Sequence, residues 1–142
     1  MDKTFSSDAT VQEAHCGHKR TLSTSFRCAF AGFWYALKTQ RNMRIHLAIA
    51  LVVLALGLYL GLSWDQWALL TLTSGFVVAA EMFNTVAEAA MDAATPHYHP
   101  LVKTAKDVAA GAVLLTATVA VVVGLLVLGP PLWARISLLI AP

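Results

Sequence analysis

Acids set inside a lipid-like stretch constrain this chain more than any other feature. Residues 67–91 are apolar enough to cross a bilayer, yet they carry Glu81, Asn84 and Glu88, and Asp92 follows directly. A carboxylate at the bilayer centre costs at least about 2.5–3.5 kcal/mol, and an ionisable residue inside a span marks a functional site by default. On a helix turning about 100° per residue, Glu81, Asn84, Glu88 and Asp92 fall within a stripe roughly 80° wide. Met82, Phe83 and Val86 point elsewhere. Glu81 stands 14 residues past Trp67, about 21 Å along a helix. In a hydrocarbon core of about 30 Å, that leaves Glu81 within about 10 Å of the far edge, with Glu88 near the edge and Asp92 beyond it.

Two more apolar runs complete an all-α integral membrane chain. Leu47–Leu62 is short for a span, so the first is placed at 45–64, taking in Ile45, His46 and Trp64. The second is 67–91. The third, 106–128, contains the uncharged run Val108–Leu128. Gly129-Pro130-Pro131 predicts a helix stop, which leaves 131–142 as an apolar tail at the surface. Ahead of the spans, Phe26, Phe30, Phe33, Trp34 and Leu37 recur at helical spacing with Arg27, Lys38 and Gln40 beside them. This predicts an amphipathic helix over 22–40, lying in the membrane interface or packed on the bundle. Residues 1–20 are polar and predict a disordered tail. The first apolar run begins too late for a cleaved signal peptide. Residues 21–130 therefore make up one membrane domain.

Composition narrows the function classes. Hydrophobic residues are 58% and charged residues 13%, against about 45–50% and about 25% in soluble domains. That excludes a soluble enzyme and a disordered protein. A net charge of +2 gives no support to a nucleic-acid partner. Neither GxxxxGK[ST] nor GxGxxG occurs, so no P-loop or Rossmann site is expected. Cys16 and Cys28 outline neither a disulfide framework nor, with His15 and His18, a four-ligand zinc site. Oligomerisation is expected of so short a chain.

Lysine and arginine set the orientation. Seven precede the first span, none lies in 61–66, Lys103 and Lys106 lie in the second loop, and Arg135 follows the third span. The N-terminus and the second loop are therefore expected in the cytoplasm. Glu81 and Glu88 then sit near the cytoplasmic face. They either pair with Arg41, Arg44 or Lys106, or serve chemistry. Asp107 near a helix start suits the helix dipole, and Lys106 suits the membrane edge. Placed opposite Glu88 and Asp92, both could also meet a nucleotide–metal complex. Ala109-Ala110-Gly111-Ala112 reads as close helix packing.

The string Glu81-x-x-Asn84-Thr85-x-x-Glu88-x-x-x-Asp92, then His99-Pro100-Leu101, then Ala105-Lys106-Asp107-x-Ala109-Ala110-Gly111-Ala112-Val113, resembles the bacterial diacylglycerol kinase and undecaprenol kinase family. Phe26-x-x-Ala29-x-x-Gly32 and Arg41-Asn42-Met43-Arg44-Ile45-His46 fit the same family, and the match runs over residues 22–130. The resemblance implies a homotrimer in the bacterial inner membrane, each chain with a surface helix and three spans. It implies ATP-dependent phosphorylation of a lipid alcohol, undecaprenol or diacylglycerol, with Mg2+ as cofactor. Glu81 resembles the general base and Glu88 the ligand of the magnesium on ATP. Asn84 matches the motif amide that positions the phosphates or the base, at a nucleotide-binding position, and Lys106 and Asp107 match the nucleotide-contacting pair. His97 and His99 match the loop near the nucleotide, and Arg27 falls where a basic residue meets ATP. In the diacylglycerol kinase branch an acid that helps hold metal stands where this chain has His46. That makes His46 a metal-site candidate beside Glu88. Gln40 replaces a Glu common before the Arg-Asn pair. His46 and His99-Pro100-Leu101 are more similar to the undecaprenol kinase branch.

A rival from another class is a small proton-coupled transporter using Glu81 as its proton site. The cytoplasmic-edge acids and Lys106-Asp107 discriminate, since a proton carrier needs no nucleotide site. A purely structural subunit leaves Glu81 without a purpose.

Overall fold

The computed structural model describes residues 21–95 and 97–140. Among them there are four helices: α1 Leu22–Thr39, α2 Arg41–Leu60, α3 Trp64–Ala94 and α4 Pro100–Ile140. The chain falls into two compact units that meet within α1, one ending at Tyr35 and one beginning at Ala36. In the first unit Phe26, Phe30 and Trp34 are exposed and Phe33 is half-buried, so the aromatic face expected of a surface helix is present. The expected stretch 1–20 and the His15–His18 tract lie outside the described residues. Cys28 is disulfide-bonded, which corrects the expectation of no disulfide. Cys16 lies outside the described residues.

In the second unit α2, α3 and α4 are each long and apolar enough to span a membrane. Side chains such as Leu51, Val52, Leu115 and Leu126 are exposed on them. Outward-facing apolar residues are what a bilayer demands, since backbone polar groups are already paired inside each helix.

The α2–α3 turn is written in local chemistry. Gly61 closes α2 in the left-handed region (φ 69°), and its N–H donates to the Gly57 carbonyl. Only glycine enters that region without strain. Ser63 opens α3 with a capping box: Gln66 N–H donates to Ser63 Oγ at 3.4 Å, and Ser63 N–H donates to Gln66 Oε1 at 2.9 Å. At Gly57 a Cβ would lie 2.8 Å from Trp67 Cη2, so its missing side chain lets α2 approach α3. Leu60, Leu70, Val127 and Leu128 form the core here, with Val53, Leu56, Leu62, Val123 and Leu132 against it.

Both ends of α2, α3 and α4 differ from the expected ones. α2 occupies Arg41–Leu60 rather than 45–64, and α3 begins at Trp64 rather than 67 and ends at Ala94 rather than 91. The Gly61 cap and the Ser63–Gln66 box move that boundary. α4 starts at Pro100, not 106, and passes through Pro130 and Pro131 to Ile140. The helix stop at 129–131 is therefore corrected: residues 131–140 are helical. Proline removes a backbone donor, but a membrane helix tolerates it where neighbouring groups re-satisfy the freed carbonyls.

Candidate active site

The acidic face of α3 is graded in depth. Glu81 is 1% exposed and Asn84 6%, Glu88 is half-buried and Asp92 exposed. The helical stripe expected from spacing thus becomes a path from the interior to the end of the bundle. Thr85, also buried, donates its hydroxyl to the Glu81 backbone carbonyl at 2.9 Å.

Glu81 is the anomaly of the structure. Neither carboxylate oxygen has a hydrogen-bond partner, and the same holds for Asn84 Oδ1. A buried polar group left unmatched costs about 1–3 kcal/mol, more if charged, so such groups are rare unless they serve a purpose. His46 on α2 and Glu88 are its charged or ionisable neighbours within electrostatic reach. Glu88, by contrast, is held at both oxygens. Asn84 Nδ2 donates to Oε1 at 3.1 Å, and Gln40 Nε2 donates to Oε2 at 3.4 Å.

The ion pairs among the described residues lie further out: Lys106 with Asp92, joining α4 to α3, and Lys103 with Asp107 within α4. Pairing of Glu81 or Glu88 with Arg41, Arg44 or Lys106 is not observed among the described residues. His99 Nδ1 accepts the Leu101 N–H at 3.2 Å, which caps α4 beside Pro100. His97 is exposed, and its backbone N–H donates to Thr95 Oγ1 at 3.4 Å. Arg27 is exposed on α1, in the separately described first unit.

The structure therefore brings Glu81, Asn84, Glu88 and His46 to one end of the bundle, with Asp92 and Lys106 joined beyond them. Gln40, noted in the sequence as standing where the family commonly has a Glu, joins this set through its bond to Glu88, a contact across 48 residues that no local pattern announces. His46 further lines an apolar cavity of about 390 Å³ between α2, α3 and α4, with Ala50, Val77, Ala120, Gly124 and Leu132 among its walls.

Magnesium takes oxygen ligands and is commonly held by one or two carboxylates together with substrate phosphates. The unpartnered oxygens of Glu81 and Asn84 and the remaining lone pairs of Glu88 fit that donor chemistry. Among the described residues no three His, Cys, Asp or Glu side chains converge. Such a set suits a cation arriving with phosphate oxygens better than one caged by protein alone.

Residues 27–128 match the family model described as prokaryotic diacylglycerol kinase. The chain is 47% identical over 112 residues to a diacylglycerol kinase of Synechocystis sp., a match covering 78% of this chain and 64% of that protein. It is 37% identical over 118 residues to the undecaprenol kinase of Bacillus subtilis, covering 81% of this chain and 96% of that one. A diacylglycerol kinase of Helicobacter pylori is 37% identical over 115 residues, covering 77% and 84%.

Proposed function

Because the chain belongs to the prokaryotic diacylglycerol kinase family, a family of lipid kinases, we propose that it transfers the γ-phosphoryl group of ATP to a membrane lipid alcohol, undecaprenol or diacylglycerol, at the cytoplasmic face of a bacterial inner membrane. The observation that carries this reading is the buried Glu81 carboxylate with both oxygens unpartnered, two turns from a Glu88 held by amides. A proton-coupled transporter is not favoured, since the curated relatives are kinases by name.

Glu81 acts as the general base. The lipid hydroxyl gives its proton to a Glu81 oxygen, and the hydroxyl oxygen forms a bond to the γ-phosphorus. The bond from that phosphorus to the β–γ bridging oxygen breaks, and ADP leaves with the electron pair. Phosphoryl transfer depends on positioning and charge stabilisation more than on covalent chemistry, and a well-placed base contributes about 10²–10⁴-fold. Magnesium bound with ATP supplies charge neutralisation on the phosphates, and Glu88 would hold it, with His46 the second candidate. Asn84, Lys106 and Asp107 orient the nucleotide, and His97, His99 and Arg27 border it. Lys106 must exchange its Asp92 partner for phosphate to do so. With lysine and arginine concentrated before α2, the N-terminus faces the cytoplasm. Assembly as a homotrimer, which the family resemblance implies, is part of the same proposal.

The test uses purified protein in mixed micelles with γ-labelled ATP, magnesium, and either diacylglycerol or undecaprenol. Labelled lipid phosphate from one of them is expected. None from either alcohol, under conditions where the protein remains helical, overturns the proposal.

A further inference from the structure

Gln40 is the single residue between α1 and α2. Its backbone is extended (φ −97°, ψ 118°) at the N-cap of α2. A side chain there ordinarily accepts a bond from a first-turn N–H, but that of Gln40 makes no cap hydrogen bond. Its backbone N–H is already satisfied by the Ala36 carbonyl at 2.8 Å. The side chain has no local structural task. It reaches instead to α3, where Nε2 donates to Glu88 Oε2, opposite the Asn84 amide on Oε1. Glu88 is gripped by two neutral donors, one at the α1–α2 junction and one on its own helix. Neither donor cancels its charge, and each carboxylate oxygen accepts more than one bond, so lone pairs remain for a cation.

We infer that Gln40 is a positioning residue for Glu88: its amide holds the carboxylate in the orientation that receives the magnesium–nucleotide complex. The inference rests on the role proposed above for Glu88. An acid at residue 40 has no proton to donate and would repel Glu88 until a divalent cation bridged the two. The amide orients Glu88 before any cation arrives, and orientation in advance removes part of the cost of binding. Gln40 tunes metal and nucleotide affinity through Glu88 and takes no part in the lipid chemistry.

The experiment measures retention of labelled ATP by the full chain, without lipid alcohol, across a magnesium titration. Turnover with lipid alcohol is measured in parallel. Gln40→Ala is expected to raise the magnesium concentration for half-maximal ATP retention by about tenfold, the size usual when a group orienting a metal ligand is lost. Its effect on KM for the magnesium–ATP complex exceeds its effect on kcat. Gln40→Glu is expected to bind ATP more weakly than wild type at low magnesium and to regain wild-type retention at high magnesium. A merely structural role would shift both variants alike at every magnesium level. An unchanged half-point in Gln40→Ala, or superimposable magnesium curves for the two variants, overturns the inference. If Gln40→Ala does not fold, Gln40→Asn replaces it. That variant keeps the amide but is one methylene short of Glu88, and an unchanged half-point in it overturns the inference equally. Wild type that neither retains ATP nor phosphorylates lipid removes the kinase reading and this inference with it. An active wild type beside an indifferent Gln40→Ala removes this inference alone.

Discussion

At the Gly61–Ser63 turn, Leu60, Leu70, Val127 and Leu128 cluster into an apolar core that borders the apolar cavity, and the helix ends are capped by Gly61 and by the Ser63–Gln66 box. Some 16 Å along α3 from Leu70, Glu81 and Asn84 are buried just as deeply, yet three of their oxygens have no partner. One end satisfies its polar groups locally and packs its apolar ones. The other keeps an acid out of water without matching it, and only beyond it do Gln40 and Asn84 hold Glu88. The first arrangement serves stability. The second sacrifices some for a group ready to meet a substrate, the trade that active sites commonly show.

The sharpest way to break this contrast is Glu81→Gln. It is expected to lower turnover at least about 100-fold, the lower bound for a general base, while helix content and assembly persist. Wild-type turnover in radiolabelled lipid phosphorylation would refute the base. Glu88→Gln is expected to raise the magnesium requirement by about 10–100-fold, the range for altered metal ligation, and an unchanged titration counts against the metal role. Glu81→Met tests the stability side. Removing two unpartnered oxygens is expected to stabilise the bundle by about 1–3 kcal/mol and to abolish activity. Unfolding in detergent reads the stability change, and a destabilised variant would mean that Glu81 is matched after all. At the turn end the signs reverse. Gly57→Ala places a methyl against Trp67 and is expected to cost about 1–3 kcal/mol, with turnover per folded molecule retained. Ser63→Ala loses its cap, costing about 1 kcal/mol. Either turn-end variant losing activity while still folded would show that the two ends are coupled.

Much of this was legible in the chain because a bilayer simplifies the code. Every backbone polar group must be paired within the span, so apolar runs near 50, 80 and 118 announce helices. The stripe Glu81–Asn84–Glu88–Asp92 follows from helical geometry alone. Boundaries were less legible. Pro130 and Pro131 read as a stop by the rules of water-exposed helices, and α4 passes through them. Trp64 reads as an interface anchor closing the first span, whereas the Ser63–Gln66 box makes it the start of α3.

The identity of the helices, the depth of the acids and the family motif were set by residue order, since helical period and hydropathy are properties of the sequence. Which acid stands unmatched and which is gripped was decided only by packing. Gln40 and Glu88 lie 48 positions apart, and Lys106 chooses Asp92 rather than Glu88. Such pairings depend on how α2 and α4 sit against α3, where tenths of an ångström decide whether an amide proton reaches an oxygen, and no local pattern encodes that distance.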